Sequence, residues 1–185
     1  METGQVEIVE DKRIALLIAV LALCLAFAET GAKSSQTEAL TRNVESVNLW
    51  SFFQAKTVRQ TAVRTAIEAS ELQKASADAS VRSAIEAQQA KWKETVTRWE
   101  SEPSTGEGRK ELMERARGSD EAREHAMARY HLYEYAAAAL QVAIVVASAS
   151  IVTGVSILAF FGVGLGLVGV ALGGIGYFAP NLLHL

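Results

Sequence analysis

From Tyr135 to Leu185 the chain carries no Lys, Arg, Asp or Glu. That uncharged run of 51 residues is far longer than one bilayer crossing, which needs about 20 residues for roughly 30 Å of hydrocarbon. It therefore reads as a helical hairpin in lipid. One arm covers 135–153 and passes through Leu140, Val142, Ile144, Val145, Val146 and Ile151; the turn falls at Thr153 to Ser156; the second arm covers 157–178. Pro180 and Asn181 then stop the helix and leave a C-terminal tail over 179–185. Within the second arm Gly162, Gly166, Gly169, Gly173 and Gly176 recur at intervals of 4, 3, 4 and 3, which draws one stripe down a helix. Lipid tails give helices no hydrophobic reason to associate, so close backbone packing along such a stripe has to supply it. Three partners remain open for this helix-packing seam: another part of the same chain, a second copy, or the lumen of a pore.

A further apolar segment lies near the N-terminus, where Ile14 to Ala28 has 15 residues without a charge, between Lys12-Arg13 and Glu29. Such a helix covers only about 22 Å. It spans a membrane if Lys12 and Arg13 snorkel and Thr30 to Ala32 enter the interface, which sets the first transmembrane helix at 13–33 and an N-terminal tail at 1–12. The alternative is a cleaved secretory signal, because Ala26-Phe27-Ala28 has the small-x-small form of a cleavage site. Glu2, Glu7, Glu10 and Asp11 make the leader acidic, which favours an uncleaved span.

The remaining region, 34–134, is a soluble helical head. With Glu29 to Lys33 included, it holds 16 of the 18 Lys and Arg and 17 of the 21 Asp and Glu. A balance so near neutrality offers no counterion-release drive toward nucleic acid. The single cysteine, Cys24, lies in the first apolar segment, so an intrachain disulfide and a thiolate metal cluster are both excluded.

Ala, Glu, Gln, Arg and Lys dominate the head, and its first proline is Pro103; the composition is that of helix. Apolar positions at Leu40, Val44, Val47, Ala55, Val58, Ala62 and Ile67 form a worn heptad, and a cleaner one follows at Val81, Ile85, Gln88, Trp92, Thr95 and Trp99. One unbroken helix from Gln36 to Ser101 reaches about 99 Å, whereas Arg109 to Glu134 returns only about 39 Å. The long segment must turn back, and the Ser- and Ala-rich stretch Ala75 to Ser80 is the place. A loop over 102–108 (Glu-Pro-Ser-Thr-Gly-Glu-Gly) precedes the helix that leads into the second span. The expected fold is all-α: three transmembrane helices with a coiled-coil-like head between the first and second. Its expected core sets Val81, Ile85, Trp92 and Trp99 against Val44, Val47, Val58 and Ile67.

Trp50, Phe52 and Phe53 crowd three aromatics into four positions, with Lys56, Arg59 and Arg64 after them. Successive helical residues lie about 100° apart, so Trp50 and Phe53 share a face and Phe52 points elsewhere. Two readings stand: the widest part of the head core, or a partner surface bordered by Lys56 and Arg59.

Chemistry-bearing residues are sparse. Glu121 and His125 are one helical turn apart, and His131 lies one turn before Glu134 and Tyr135, but the two histidines sit on different faces and make no chelate. Proton sensing by an interfacial His131 is the other reading weighed. No phosphate loop, nucleophile elbow or framed carboxylate pair is present, and no charge lies inside a span, where an ion-coupled transporter would need one. The expectation is a non-enzyme without catalytic residues, cofactor or metal. It acts as an oligomeric scaffold or accessory subunit, through glycine-seam packing and the head, with the lipid bilayer and either itself or a membrane protein as partners. The alternative is a homo-oligomeric channel lined by the glycine-rich helix.

Several blocks resemble a known family: Ile14 to Leu23, Ala28 to Ser34, Gln36-Thr37-Glu38, Asn48-Leu49-Trp50, Gln54 to Thr61, Tyr135-Ala136 and Leu140 to Ile144. Together they are similar to bacterial membrane proteins of the domain-of-unknown-function family 4337, the stretch from Trp50 to Thr61 being the most specific. The resemblance covers most of the chain and implies three spans in a bacterial inner membrane without an assigned activity. Relatives often turn their final hairpin through Lys and Arg, where this chain has uncharged Thr153 to Ser156. Lys12-Arg13 before the first span and Glu29 after it favour a cytoplasmic N-terminus and a periplasmic head; Lys33 and Arg42 oppose it.

Overall fold

In the computed structural model, which describes residues 2–182 and their side chains from residue 12 onward, the chain is all-helical, with no strand among the described residues. The helices are α1 (Glu2–Ser76), α2 (Ala79–Glu100), α3 (Arg109–Thr153) and α4 (Ser156–Phe178), followed by a short 3-10 turn, Pro180–Leu182. The acidic side chains of the expected N-terminal tail, and residues 183–185 of the expected C-terminal tail, lie outside the described residues. α1, α3 and α4 are long and apolar enough to cross a membrane. At 23 residues, α4 rises about 34 Å, close to the thickness of a bilayer core.

Each break between helices has a local cause. After Ser76, Asp78 takes an extended conformation and its carboxylate accepts from the Val81 backbone N–H at 2.9 Å, which caps α2. That hydrogen bond, with a second from Ser80, holds the Asp78 carboxyl below its ordinary value. α2 ends where Ser101 turns extended just before Pro103. Gly106, at φ 66°, supplies the left-handed residue of the loop that follows. Between α3 and α4, Gly154 is left-handed at φ 67°, and the Ser150 hydroxyl donates to the Val155 carbonyl at 3.1 Å.

The chain divides into two compact units. Residues 1–40 and 122–185 form the first, residues 41–121 the second. In the first unit Leu21, Ala28, Ala136, Ala137, Leu140 and Ala143 make one buried cluster, with Leu17, Cys24, Leu25, Ile144, Leu165 and Leu172 packed against it. Four of the six buried residues are alanines, so the helices approach closely. Glu38 accepts from Arg129 at 2.5 Å, and Asn181 donates to His125 Nδ1 at 3.0 Å.

The second unit has a different interior from the expected one. Its buried apolar cluster is Leu49, Leu112 and Ala116, joined by Trp50 and Phe53. Val44, Val47, Val58 and Val81, all expected in the core, are exposed, while Ile67, Ile85, Trp92 and Trp99 are half-buried. The face of α1 that turns inward runs Leu49, Phe53, Lys56, Gln60, Val63, Ile67, Ser70 and Lys74, still a 4, 3, 4, 3 alternation. Half of its positions are polar, so the heptad is real but hydropathy alone picks the opposite face. On α2 the same effect replaces Gln88 by its neighbour Gln89, which is buried and donates to Ser70 Oγ at 2.7 Å.

Candidate functional site

The glycine stripe packs within the first unit. A methyl group built on each glycine of α4 reveals what that glycine admits. At Gly162 it meets the Ala143 carbonyl oxygen and the Ala147 methyl, both at 3.1 Å; at Gly166, the Leu21 side chain; at Gly169, Leu140 Cγ at 2.7 Å and the Ala136 carbonyl at 3.1 Å; at Gly176, Leu132 Cβ at 3.2 Å. Gly173 is looser, 3.8 Å from the Ala136 methyl. Gly162, Gly166, Gly169 and Gly176 are buried. Of the three partners left open by the sequence, the seam therefore takes the chain's own α1 and α3. α3 answers it with a stripe of its own, Ala136, Leu140, Ala143, Ala147 and Ser150, all buried. The spacing of 4, 3, 4 and 3 in that stripe was legible in the sequence but was masked by the surrounding alanines. Gly31 of α1 is a further member: a methyl there lies 3.0 Å from the Tyr133 ring, so Gly31 and Gly176 bracket that tyrosine.

Beside the seam a groove of about 350 Å³ is lined by Phe27, Tyr133, Val170, Gly173 and Tyr177 among others, with Cys24 on its wall. Its surface is mainly apolar. Along α4 the side chains turned away from the seam, Phe160, Phe161, Leu167, Val168 and Phe178, are exposed. Gly164 and Gly174 face open space.

The aromatic patch of the second unit is largely absorbed by its interior. Trp50 Nε1 donates to Asp120 at 3.0 Å, and the Ser46 hydroxyl donates to the same carboxylate at 2.6 Å. Phe53 stacks edge-on against Trp50 with ring centres 5.5 Å apart. Lys56 is buried, donates to the Glu107 carbonyl and lies over the Phe52 ring, which fastens the loop after α2 to α1. Of the residues expected at a partner surface, Lys56 is buried and Trp50 and Phe53 are half-buried, engaged in hydrogen bonds and packing within the second unit. Phe52 and Arg59 stay at the surface.

A polar cluster next to Lys56 closes the same loop. Gln60 donates to Glu100 and to the Val96 carbonyl, each at 3.2 Å. Arg109 donates to Glu100 at 3.2 Å and lies 5.2 Å from the Phe53 ring centre. Burial raises the Glu100 pKa, but the hydrogen bonds from Arg109 and Gln60 outweigh it and hold the carboxyl below its ordinary value. Glu111 accepts from the Ser101 hydroxyl at 2.5 Å and the Glu102 N–H at 3.2 Å, which lowers its pKa as well. Every charge in this cluster is neutralised or hydrogen-bonded, the arrangement of a structural clamp.

His125 is engaged by Asn181, and His131 lies 3.9 Å from Glu134. Among the described residues no three His, Cys, Asp or Glu side chains gather as a metal site would require. Neither the curated proteins nor the solved structures yield a match to this chain. A family model for a domain of unknown function, DUF4337, matches residues 10–179, most of the length over which the helices and both packing units are built, and the chain belongs to that family.

Proposed function

We propose that this chain is a non-enzymatic, multi-pass protein of a bacterial cell membrane that serves as an oligomeric scaffold or accessory subunit, with its head on the periplasmic side. The observation that carries the reading is the division of labour between the two units. The first spends its small residues on internal packing and leaves large apolar side chains outside, as a bundle solvated by lipid does. The second closes its interior with polar clamps and leaves an apolar helix face uncovered. A chain so built offers partners a surface rather than a reaction centre. Oligomerisation through the glycine seam is no longer part of this reading, because the chain's own helices occupy it. The same occupancy weighs against a channel lined by those glycines.

Native mass spectrometry on the protein extracted with its own lipids tests the proposal. A defined homo-oligomer supports the scaffold, and a stoichiometric foreign subunit supports the accessory role. A monomer without partners in mild detergent and in nanodiscs refutes both. For the orientation, Ser104→Cys in a Cys24→Ser background should react with a membrane-impermeant thiol reagent in intact spheroplasts. Reaction only after lysis would place the head in the cytoplasm.

A further inference from the structure

The uncovered helix face has a definite shape. Val44, Val47, Ala55, Val58, Ala62 and Leu72 fall within an arc of about 100° when successive residues of α1 are set about 100° apart, together with Ala69 and the uncharged Ser51, Gln54 and Thr65. They are exposed, the four large ones to 59%, 55%, 68% and 79% for Val44, Val47, Val58 and Leu72. The segment contains Glu45, Lys56, Arg59, Arg64, Glu68 and Glu71, and all six lie outside that arc. The opposite side of α1 is occupied by the chain itself, through Leu49, Phe53, Lys56 and Gln60. The apolar face therefore has nothing of its own unit to cover it.

We propose that this charge-free face of α1, from Val44 to Leu72, pairs in parallel with the same face of a second copy of the chain. The proposal rests on the scaffold reading and names the surface that reading requires. Three features favour a second copy over a foreign helix. In a parallel, in-register pair each residue meets its own counterpart, so any charge on the face would oppose its like; here the whole face is neutral, and the charges are swept to the flanks. A foreign partner is ordinarily selected by complementary charge, and the face offers none to select by. The face is also open: Val44, Val47, Val58 and Leu72 are each more than half exposed, so a second copy has apolar surface to remove from water along the whole segment. α1 includes the N-terminal candidate span, so two copies inserted alike in one membrane carry this helix in the same direction. Spacing near 3.5 to 3.7 residues per turn then keeps the two faces together along the segment. Ala55 and Ala62 let the backbones approach between the larger side chains.

The test uses the full chain in its membrane, with Cys24→Ser as background and either Val47→Cys or Val58→Cys. Mild oxidation should give a disulfide-linked dimer in both, whereas Arg64→Cys, roughly 100–120° around the helix from either position, should give at least tenfold less. Val58→Asp, which sets two carboxylates face to face, should abolish the dimer while leaving the tryptophan emission of the head unchanged. A homo-oligomer in native mass spectrometry without cross-links at 47 and 58, or with equal cross-linking at 64, overturns this face and leaves the scaffold reading standing. A strictly monomeric chain removes both. A foreign subunit that shields positions 47 and 58 from thiol reagents overturns self-pairing and makes the chain an accessory subunit.

Discussion

Gly169→Ala and Gly164→Ala, compared on the same helix, isolate what the seam contributes. Both positions are interior to α4, so the gain from replacing glycine by alanine, up to ~1 kcal/mol, is common to both and cancels in their difference. What remains is steric. At Gly164 the new methyl finds nothing within 4 Å, whereas at Gly169 it lies 2.7 Å from Leu140 Cγ and 3.1 Å from the Ala136 carbonyl. Leu140 is itself fully buried and has little room to turn, and a backbone carbonyl yields only if α3 and α4 separate. Overpacking of this kind costs about 1–3 kcal/mol. Gly169→Ala should therefore be less stable than Gly164→Ala by that amount, a factor of about 5 to 150 in the population of the opened bundle. Cys24 packs on this core, is half-buried on the groove wall and is the chain's one thiol, so the difference in its alkylation rate between the two variants in detergent micelles, followed against temperature, reports the difference in opening. Tryptophan emission reports only the second unit, where Trp50, Trp92 and Trp99 all lie, and should be the same in both variants. Equal Cys24 labelling curves for the two alanine variants would refute the claim that the seam is closed inside the chain.

Further outcomes follow from the second unit. Trp50→Phe removes the indole donor to Asp120 and should cost about 1.5–3 kcal/mol in urea unfolding, the usual worth of a hydrogen bond to a charged group; a midpoint unchanged from the parent chain would contradict that geometry. Trp92→Ala, at a half-buried position, should lower head stability by about 2 kcal/mol, measured by circular dichroism on heating. Acid should loosen the head: Asp78, Glu100 and Glu111 titrate below their ordinary values when folded, so their contribution is present above the unfolded carboxyl range near pH 4. It is lost as the pH falls from there through the lowered folded values. A urea midpoint that stays flat from pH 6 to pH 3 would show that these carboxylates are not held as described.

The breaks between helices were legible residue by residue. The small-residue stretch 75–80, Pro103 with Gly106, and Gly154 at the hairpin turn each mark a break in the sequence, while the Asp78 cap that starts α2 shows only in the structure. The glycine spacing was equally plain, because small residues at helical intervals in an uncharged segment have few other uses. The head core was misread for a physical reason. Ser46, Lys56, Gln60 and Gln89 are buried, but each is satisfied by a partner far along the chain: Asp120, the Glu107 carbonyl, Glu100 and Ser70. A hydropathy pattern counts such residues as surface. The valines on the far side of α1 then pass for core.

By itself the sequence determined the all-helical class, the turns, the uncharged segments and the presence of a close-packing stripe, since each depends on backbone preference, charge or side-chain size within a few neighbours. Tertiary structure alone decided what the seam packs against and which face of α1 is inside. Those depend on Leu21, Ala143 and Asp120 arriving from distant parts of the chain to fill a gap or accept a hydrogen bond. Burial of a polar group is decided by whether such a partner is there to meet it.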